Sequence, residues 1–393
     1  MLTLPSLGQK QFISWGAQMK HSRRWIFAVS VLCSGVLGAY AADSQIQQRG
    51  GTDDFGPYEP IPNWFKPLRP GYLERGLSVF VETPNRIFFT SDLEFEPRRG
   101  SGVIGAIAPG QASPDHHFVM ILDANGNVVD EWKQWENLIK VPHAIKISPY
   151  DPERNVWIVD RVGQQILKFS HDGKRLLMTL GEKGVMGTDH NHFGQPANLS
   201  FTPDGSFYVA DGYINTRIIK FDKNGKFLLE WGSPGNGPGQ FKVLVHDVAV
   251  DPKGRVFVAD RGNHRIQIFD PNGRYLDEWD NITQPSYIHI TKDGYVWVVC
   301  GEGNRIAKYD MDGHLLTYWG MYGTRPGEFD DPHDLSVDAD GNLYVTIFSS
   351  QKVGIEKYVP KPGADRQRLV GLGFNRSLPS GNAAGSPLSM TTH

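Results

Sequence analysis

Six imperfect copies of one short-strand pattern, an abundance of glycine and tryptophan, and no long helical run predict an all-β chain. The architecture that suits them is a six-bladed β-propeller, with four-stranded antiparallel blades around a central channel. The chain has 393 residues, 44 Gly, 26 Pro and 10 Trp. Its length alone would allow two or three domains, but a repeat of this period turns it into one ring. With 39% hydrophobic and 21% charged residues the chain can bury a large core. A formal net charge of −3 argues against a nucleic-acid binder working by phosphate neutralisation. Two cysteines cannot build a disulfide framework, and no C-x-x-C pair offers a thiolate zinc site.

The N-terminal element, residues 1–41, reads as an extension and an export signal. Lys20, Arg23 and Arg24 precede an apolar run from Trp25 to Leu37, and Ala39-Tyr40-Ala41 supplies a small-residue cleavage site. Met19 is the expected start. The run is shorter than the ~20 residues that span a bilayer, so the expectation is cleavage near Ala41, no stable membrane insertion and a secreted or periplasmic product. Cleavage would remove Cys33 and leave Cys300 as the one thiol. Residues 42–73 form a Pro/Gly-rich linker, 74–372 the propeller, and 373–393 a polar tail expected to be disordered.

The copies align on their strands. Pro196–Gly232, Val245–Trp279 and Pro285–Gly320 share one pattern; Pro142–Gly181 repeats it, and another copy begins at Pro332. A degenerate first copy starts at Leu77, breaks at an insertion and resumes at Phe118. Each copy reads as a short alternating strand, a buried run such as VFVAD, a third strand, then a hairpin and a fourth strand ending in Trp-Gly. The pairs Asn125-Gly126, Asp172-Gly173, Asn224-Gly225, Asn272-Gly273 and Asp312-Gly313 lie where a two-residue hairpin wants positive φ.

One alignment column carries chemistry. The residue just before the first-strand alternation is Leu77, His143, Ala197, His246, Ser286 and His333 in copies one to six. Histidine occupies alternate copies, so on a closed ring the three imidazoles approach the axis from directions about 120° apart. Three imidazoles with an open fourth position suit a catalytic zinc ion. The aspartates ending the second strands (Asp160, Asp211, Asp260) read as loop anchors, whereas Arg161, Arg261 and Tyr213 just beyond them sit on one rim and suit an anionic substrate. His116, His117, His190 and His192 read as loop residues.

The segments VPHAI (141–145), VADGYINTRIIKF (209–221), PGQFKVLVHDVAV (238–250), VADRGNHRIQIF (258–269) and DPHDLSV (331–337) resemble NHL repeats. More specifically they resemble the catalytic core of the peptidyl-α-hydroxyglycine α-amidating lyases, over residues 74–360. That resemblance implies zinc on His143, His246 and His333, a catalytic Tyr213, a channel Arg261 and a functional Asp334. It also implies a structural calcium on Asp334 and on carbonyls near Ile145 and Val79. Two positions depart from the family pattern: Asp92 stands where a second functional arginine is expected, and Asp331 where a methionine is expected. Arg161, or Arg98 and Arg99 in the insertion, would be substitutes for that arginine.

The expected function is therefore an exported, monomeric zinc lyase that takes a small-molecule or peptide-derived substrate into its channel. It would cleave a carbinolamide C–N bond to an amide and glyoxylate. A non-catalytic NHL scaffold for a protein or glycan is the alternative. A calcium lactonase on the same architecture would want Glu, Asn and Asp at the axis, where this chain offers imidazole.

Overall fold

The computed structural model describes residues 49–50, 56–68, 73–95, 118–349 and 351–373. The expected export signal, Arg98, Arg99, His116 and His117 of the insertion, and the tail from residue 374 lie outside them.

Six antiparallel sheets form a six-bladed propeller. Blade one comprises Leu73–Thr83, Arg86–Phe95, Val119–Leu122 and Val128–Glu131. Blades two to five each run in simple meander order from the strands beginning at Pro142, Pro196, Val245 and Pro285. Blade six takes three strands from the C-terminal part, Pro332–Val337, Leu343–Ile347 and Ile355–Pro360. Its fourth strand comes from the other end of the chain: Tyr58–Pro60 pairs antiparallel with Ile355–Pro360. Part of the stretch read as a linker thus closes the ring. Blade five also gains a short parallel edge, Arg49–Gly50 against Leu315–Trp319.

The burial pattern follows each strand's place in the blade. A second strand is flanked by the sheets on both sides, and Val256–Asp260 is buried at every position. An outermost strand is half-exposed, and Phe227–Trp231 alternates between exposed and partly buried positions. Between blades the strand residues interdigitate into apolar clusters, such as Phe88, Trp132, Ile145, Ile158 and Phe169 at the junction of blades one and two.

The hairpins between third and fourth strands are three-residue turns rather than the expected two-residue ones. In blade three Gly225 N–H donates to the Asp222 carbonyl and Asp222 N–H to the Lys226 carbonyl, with a register shift in the adjoining strand. The Asp222 carboxylate selects the longer turn by accepting the N–H groups of both Asn224 and Lys226. Glycine at the turn's end has two reasons to be there. Gly313 has φ +86°, and a Cβ on it would stand 2.4 Å from Cδ1 of Trp279, the tryptophan closing the preceding blade.

No helix among the described residues is long and apolar enough to cross a membrane.

Ring closure gives the first prediction. Tyr58 is fully buried, packs on Trp319 and accepts the Val370 N–H on its hydroxyl at 2.8 Å. Tyr58→Ala should cost about 3–5 kcal/mol in urea denaturation, whereas Tyr58→Phe should cost about 1–3 kcal/mol for the acceptor it removes.

Candidate metal centre in the axial channel

The first strand of every blade carries a β-bulge at the column that holds the histidines. Register shifts fall between Pro142 and Ala144, Val245 and Asp247, and Pro332 and Leu335, with counterparts in the other three blades. In a regular strand successive side chains point to opposite faces; the bulge breaks that alternation. Both a histidine and its successor can therefore serve the channel.

His143, His246 and His333 meet there, all buried, with their ligand atoms within 4.8 Å of one another. Their ring centroids are 4.8–4.9 Å apart. Each Nδ1 lies 2.7 Å from a backbone carbonyl: His143 from Ala197, His246 from Ser286 and His333 from Leu77. A carbonyl can only accept, so each Nδ1 carries the proton and each Nε2 presents a lone pair. Burial holds all three rings neutral, aided by neighbouring positive charge. It pushes His143 and His246 well below the usual imidazole range and His333 down to about 3.

Three Nε2 lone pairs converge, and one proton is available to satisfy them. The Tyr213 hydroxyl lies 2.9 Å from His143 Nε2 and 3.0 Å from His246 Nε2, and it can donate to only one at a time. His333 Nε2 has no hydrogen-bond partner among the described residues. A buried donor set this short of protons fits a metal cation with a fourth position beside Tyr213.

Arginines crowd the cluster. Arg161 stacks its guanidinium over the Tyr213 ring at 4.6 Å. Arg261 is buried, donates from Nε to Gln284 at 2.8 Å and places Nη2 3.6 Å from Asp331 Oδ1. Gly301 makes this fit: a Cβ there would stand 2.4 Å from Asp331 Oδ1 and 3.1 Å from Arg261 Nη2. Burial raises the Tyr213 hydroxyl above the usual phenol range, and the positive charges of Arg161 and Arg261 oppose that rise. Burial pushes Asp331 up to about 6 despite Arg261.

At the position of the expected second arginine, Asp92 holds an arginine instead. Its carboxylate takes Arg75 in a two-point pair, Nε at 2.8 Å and Nη2 at 2.6 Å. Arg75 lies over Phe348 at 4.3 Å, and Phe348 packs against the His333 ring at 5.5 Å. The guanidinium thus reaches the cluster from blade one, but from its first strand rather than its second. The sequence reading passed over Arg75; its one mark was a basic residue facing Asp92 across a hairpin.

One step further along the same strands lies a second polar layer. Asp334 Oδ2 accepts the Ser78 hydroxyl at 2.5 Å and the Val79 N–H at 3.4 Å, and Oδ1 accepts the Leu335 N–H at 2.7 Å. Lys146 Nζ sits 3.7 Å from Asp334 Oδ2 and 3.2 Å from the Tyr287 hydroxyl. Asp247 is buried beside them and accepts the Ile288 N–H at 2.7 Å. Burial pushes Asp247 up to about 8 and raises Asp334 as well, with Lys146 as the leading opposing charge on both. Calcium takes six to eight oxygen ligands. A carboxylate already engaged on both oxygens, with an ammonium beside it, does not fit the calcium expected on Asp334, Ile145 and Val79.

The aspartates ending the second strands anchor loops. Asp260 holds Asn263, Arg265 and Gln267, and Asp211 holds Gly194, Asn215 and Arg217. His190 stacks on Phe227 and His192 pairs with Asp189, so neither joins the metal-type cluster.

Fold and site together define a propeller with a three-histidine cluster in its axial channel. The NHL repeat model matches residues 244–269, in blade four. NHL repeat-containing protein 3 of Homo sapiens is 30% identical over 289 residues, which cover 65% of this chain and 76% of that protein. The chain belongs to this family of NHL repeat proteins. It is also 28% identical over 251 residues to a probable peptidyl-alpha-hydroxyglycine alpha-amidating lyase of Caenorhabditis elegans, covering 60% of this chain and 68% of that one. The peptidylglycine alpha-amidating monooxygenase of Rattus norvegicus is 30% identical over 246 residues, 58% of this chain. The chain spans only about a quarter of that longer relative, 24% of its length. Among solved structures a streptogramin B lyase superposes with a TM-score of 0.52 at 14% identity, over 77% of this chain and 97% of that one, a likeness of fold.

Replacing any one of the three histidines by alanine should abolish stoichiometric metal binding. The loss, read by cobalt(II) titration, should exceed the roughly 10–100-fold that removal of an outer-shell partner costs.

Proposed function

We propose that the protein is an exported zinc-dependent lyase of the peptidyl-α-hydroxyglycine α-amidating type. Its substrate would be a small or peptide-derived carbinolamide that enters the channel of a monomer. The observation that carries this reading is the convergence of three deprotonated Nε2 atoms on one point of the channel, two of them on the hydroxyl of Tyr213. A scaffold that binds partners on its faces has no use for such a set. The name of the Caenorhabditis elegans relative supports the lyase chemistry.

The three histidines fit zinc in donor type and protonation, and when bound it would act as a Lewis acid on the substrate hydroxyl. The chain's own residues supply the rest. Tyr213 is the base. Its hydroxyl now donates to a histidine, and an occupied cluster leaves that phenol without its acceptors. Burial raises that hydroxyl above the usual phenol range, and Arg161 and Arg261 oppose the rise and so favour the phenolate that the base role needs. The phenolate takes the hydroxyl proton as the C–N bond breaks, the carbinol carbon becomes the aldehyde of glyoxylate, and the proton passes to the departing amide nitrogen. Arg261, Arg161 and Arg75 hold the carboxylate, with Arg75 supplying the guanidinium that Asp92 does not.

Turnover of α-hydroxyglycine amides by the zinc-loaded protein tests the assignment, and a protein without stoichiometric zinc or turnover would return it to the scaffold class. Tyr213→Phe should lower kcat by about 10²–10⁴ with metal content unchanged. Arg75→Ala should raise KM more than it lowers kcat, and substrates lacking the carboxylate should be indifferent to the change.

A further inference from the structure

Lys146 stands three residues beyond His143 on the innermost strand of blade two, with 13% of its side chain exposed. It borders a cavity of about 110 Å³ together with Asp247, Tyr287 and Ser336. Four other blades place polar groups in the same layer. Ser78, Asp247, Tyr287 and Asp334 each follow directly on a member of the alternating column, namely Leu77, His246, Ser286 and His333. The bulges at that column allow both residues to serve the axis.

Both carboxylates in this layer are structural. Asp334 ties blade six to blade one through Ser78 and Val79, and Asp247 ties blade four to blade five through Ile288. Asp247 is 1% and Asp334 3% exposed. A buried carboxylate that stays ionised needs a cation beside it. Lys146 offers one at 3.7 Å from Asp334, and Tyr287 seats it from two sides, with the hydroxyl at 3.2 Å and the ring centroid at 4.2 Å. A divalent ion brought to Asp334 would meet that ammonium head-on.

We infer that the Lys146 ammonium is the resident counter-ion of the axial carboxylate layer, and that this propeller closes without the calcium its resemblance implies. The chain carries the charge covalently that a bound ion would otherwise bring. Blade-to-blade ties at the axis then do not depend on the calcium concentration around the protein. The inference does not rest on the lyase reading, since it concerns a different layer and a different metal.

The test uses the full-length protein in calcium-stripped buffer with zinc supplied throughout. Elemental analysis after gel filtration should find no stoichiometric calcium, and millimolar calcium should leave the melting temperature unchanged. Lys146→Met should lower the melting temperature by about 5–10 °C, the scale of a broken buried pair. Lys146→Arg, which keeps the charge, should recover part of that loss. Stoichiometric calcium in the wild-type protein, a calcium-dependent rise in its melting temperature, or a Lys146→Met variant that melts like the wild type would overturn the inference. If Lys146→Met does not fold, the wild-type calcium content and melting response still decide it. Zinc content, read in the same samples, reports separately on the histidine cluster.

Discussion

The hydrogen bonds from histidine Nδ1 to the carbonyl of the next blade are the constraint on which the site depends. Six residues occupy one column around the axis. Three are histidines that donate, and the other three (Ala197, Ser286 and Leu77) lend the carbonyls that accept. The bonds join blade two to three, four to five, and six to one. One interaction thus does three things. It orients each ring, it fixes the tautomer that leaves Nε2 free, and it ties neighbouring blades together where they converge most closely. The bond from His333 to Leu77 spans the seam of the ring, so the cluster is complete only when the propeller is closed.

The axis is layered in consequence. At the histidine level lone pairs outnumber protons, which suits a bound cation. One step along the same strands, carboxylates face an ammonium that belongs to the chain. Both layers repeat one device, a side chain from one blade bonding to the backbone of the next: Asp247 reaches the Ile288 N–H as His246 reaches the Ser286 carbonyl. Because the bulge recurs in all six blades, a single strand geometry supports two layers of different chemistry.

Whatever repeats was legible in the sequence. Six copies revealed the blades, and the alternating histidines stood out because five other positions were there for comparison. What occurs once was harder to see. Lys146 has Phe80, Ser200, Ala249, His289 and Ser336 as its equivalents, a mixture with no common charge, so no column marked it as an axial group. The strand Tyr58–Pro60 has too few residues for a periodic signal, and it is defined by pairing with a segment about 300 positions away. The bulges were invisible for a different reason. A binary pattern specifies which face is buried and not where one extra residue is inserted. Turn length was misread because the deciding group, the Asp222 carboxylate, acts on backbone N–H groups outside the Asn-Gly pair.

The departures at Asp92 and Asp331 give the channel a charge balance of its own. Arg75, Arg161 and Arg261 all lower the pKa of His333, so all three act on the cluster. Arg75 is taken by Asp92 at hydrogen-bond distance, and Arg261 faces Asp331 more loosely at 3.6 Å. Two of the three guanidinium groups have a carboxylate within ion-pair reach. The third, Arg161, makes no ion pair among the described residues and lies over the Tyr213 ring. An entering anion would displace Asp331 from Arg261 more readily than Asp92 from Arg75, because the latter pair is two-pronged and short. Under the lyase reading, Arg161 and Arg261 thus draw the substrate carboxylate toward the tyrosine, and Arg75, held rigid through Nε and Nη2 by Asp92, holds it from a fixed position with its remaining guanidinium N–H groups.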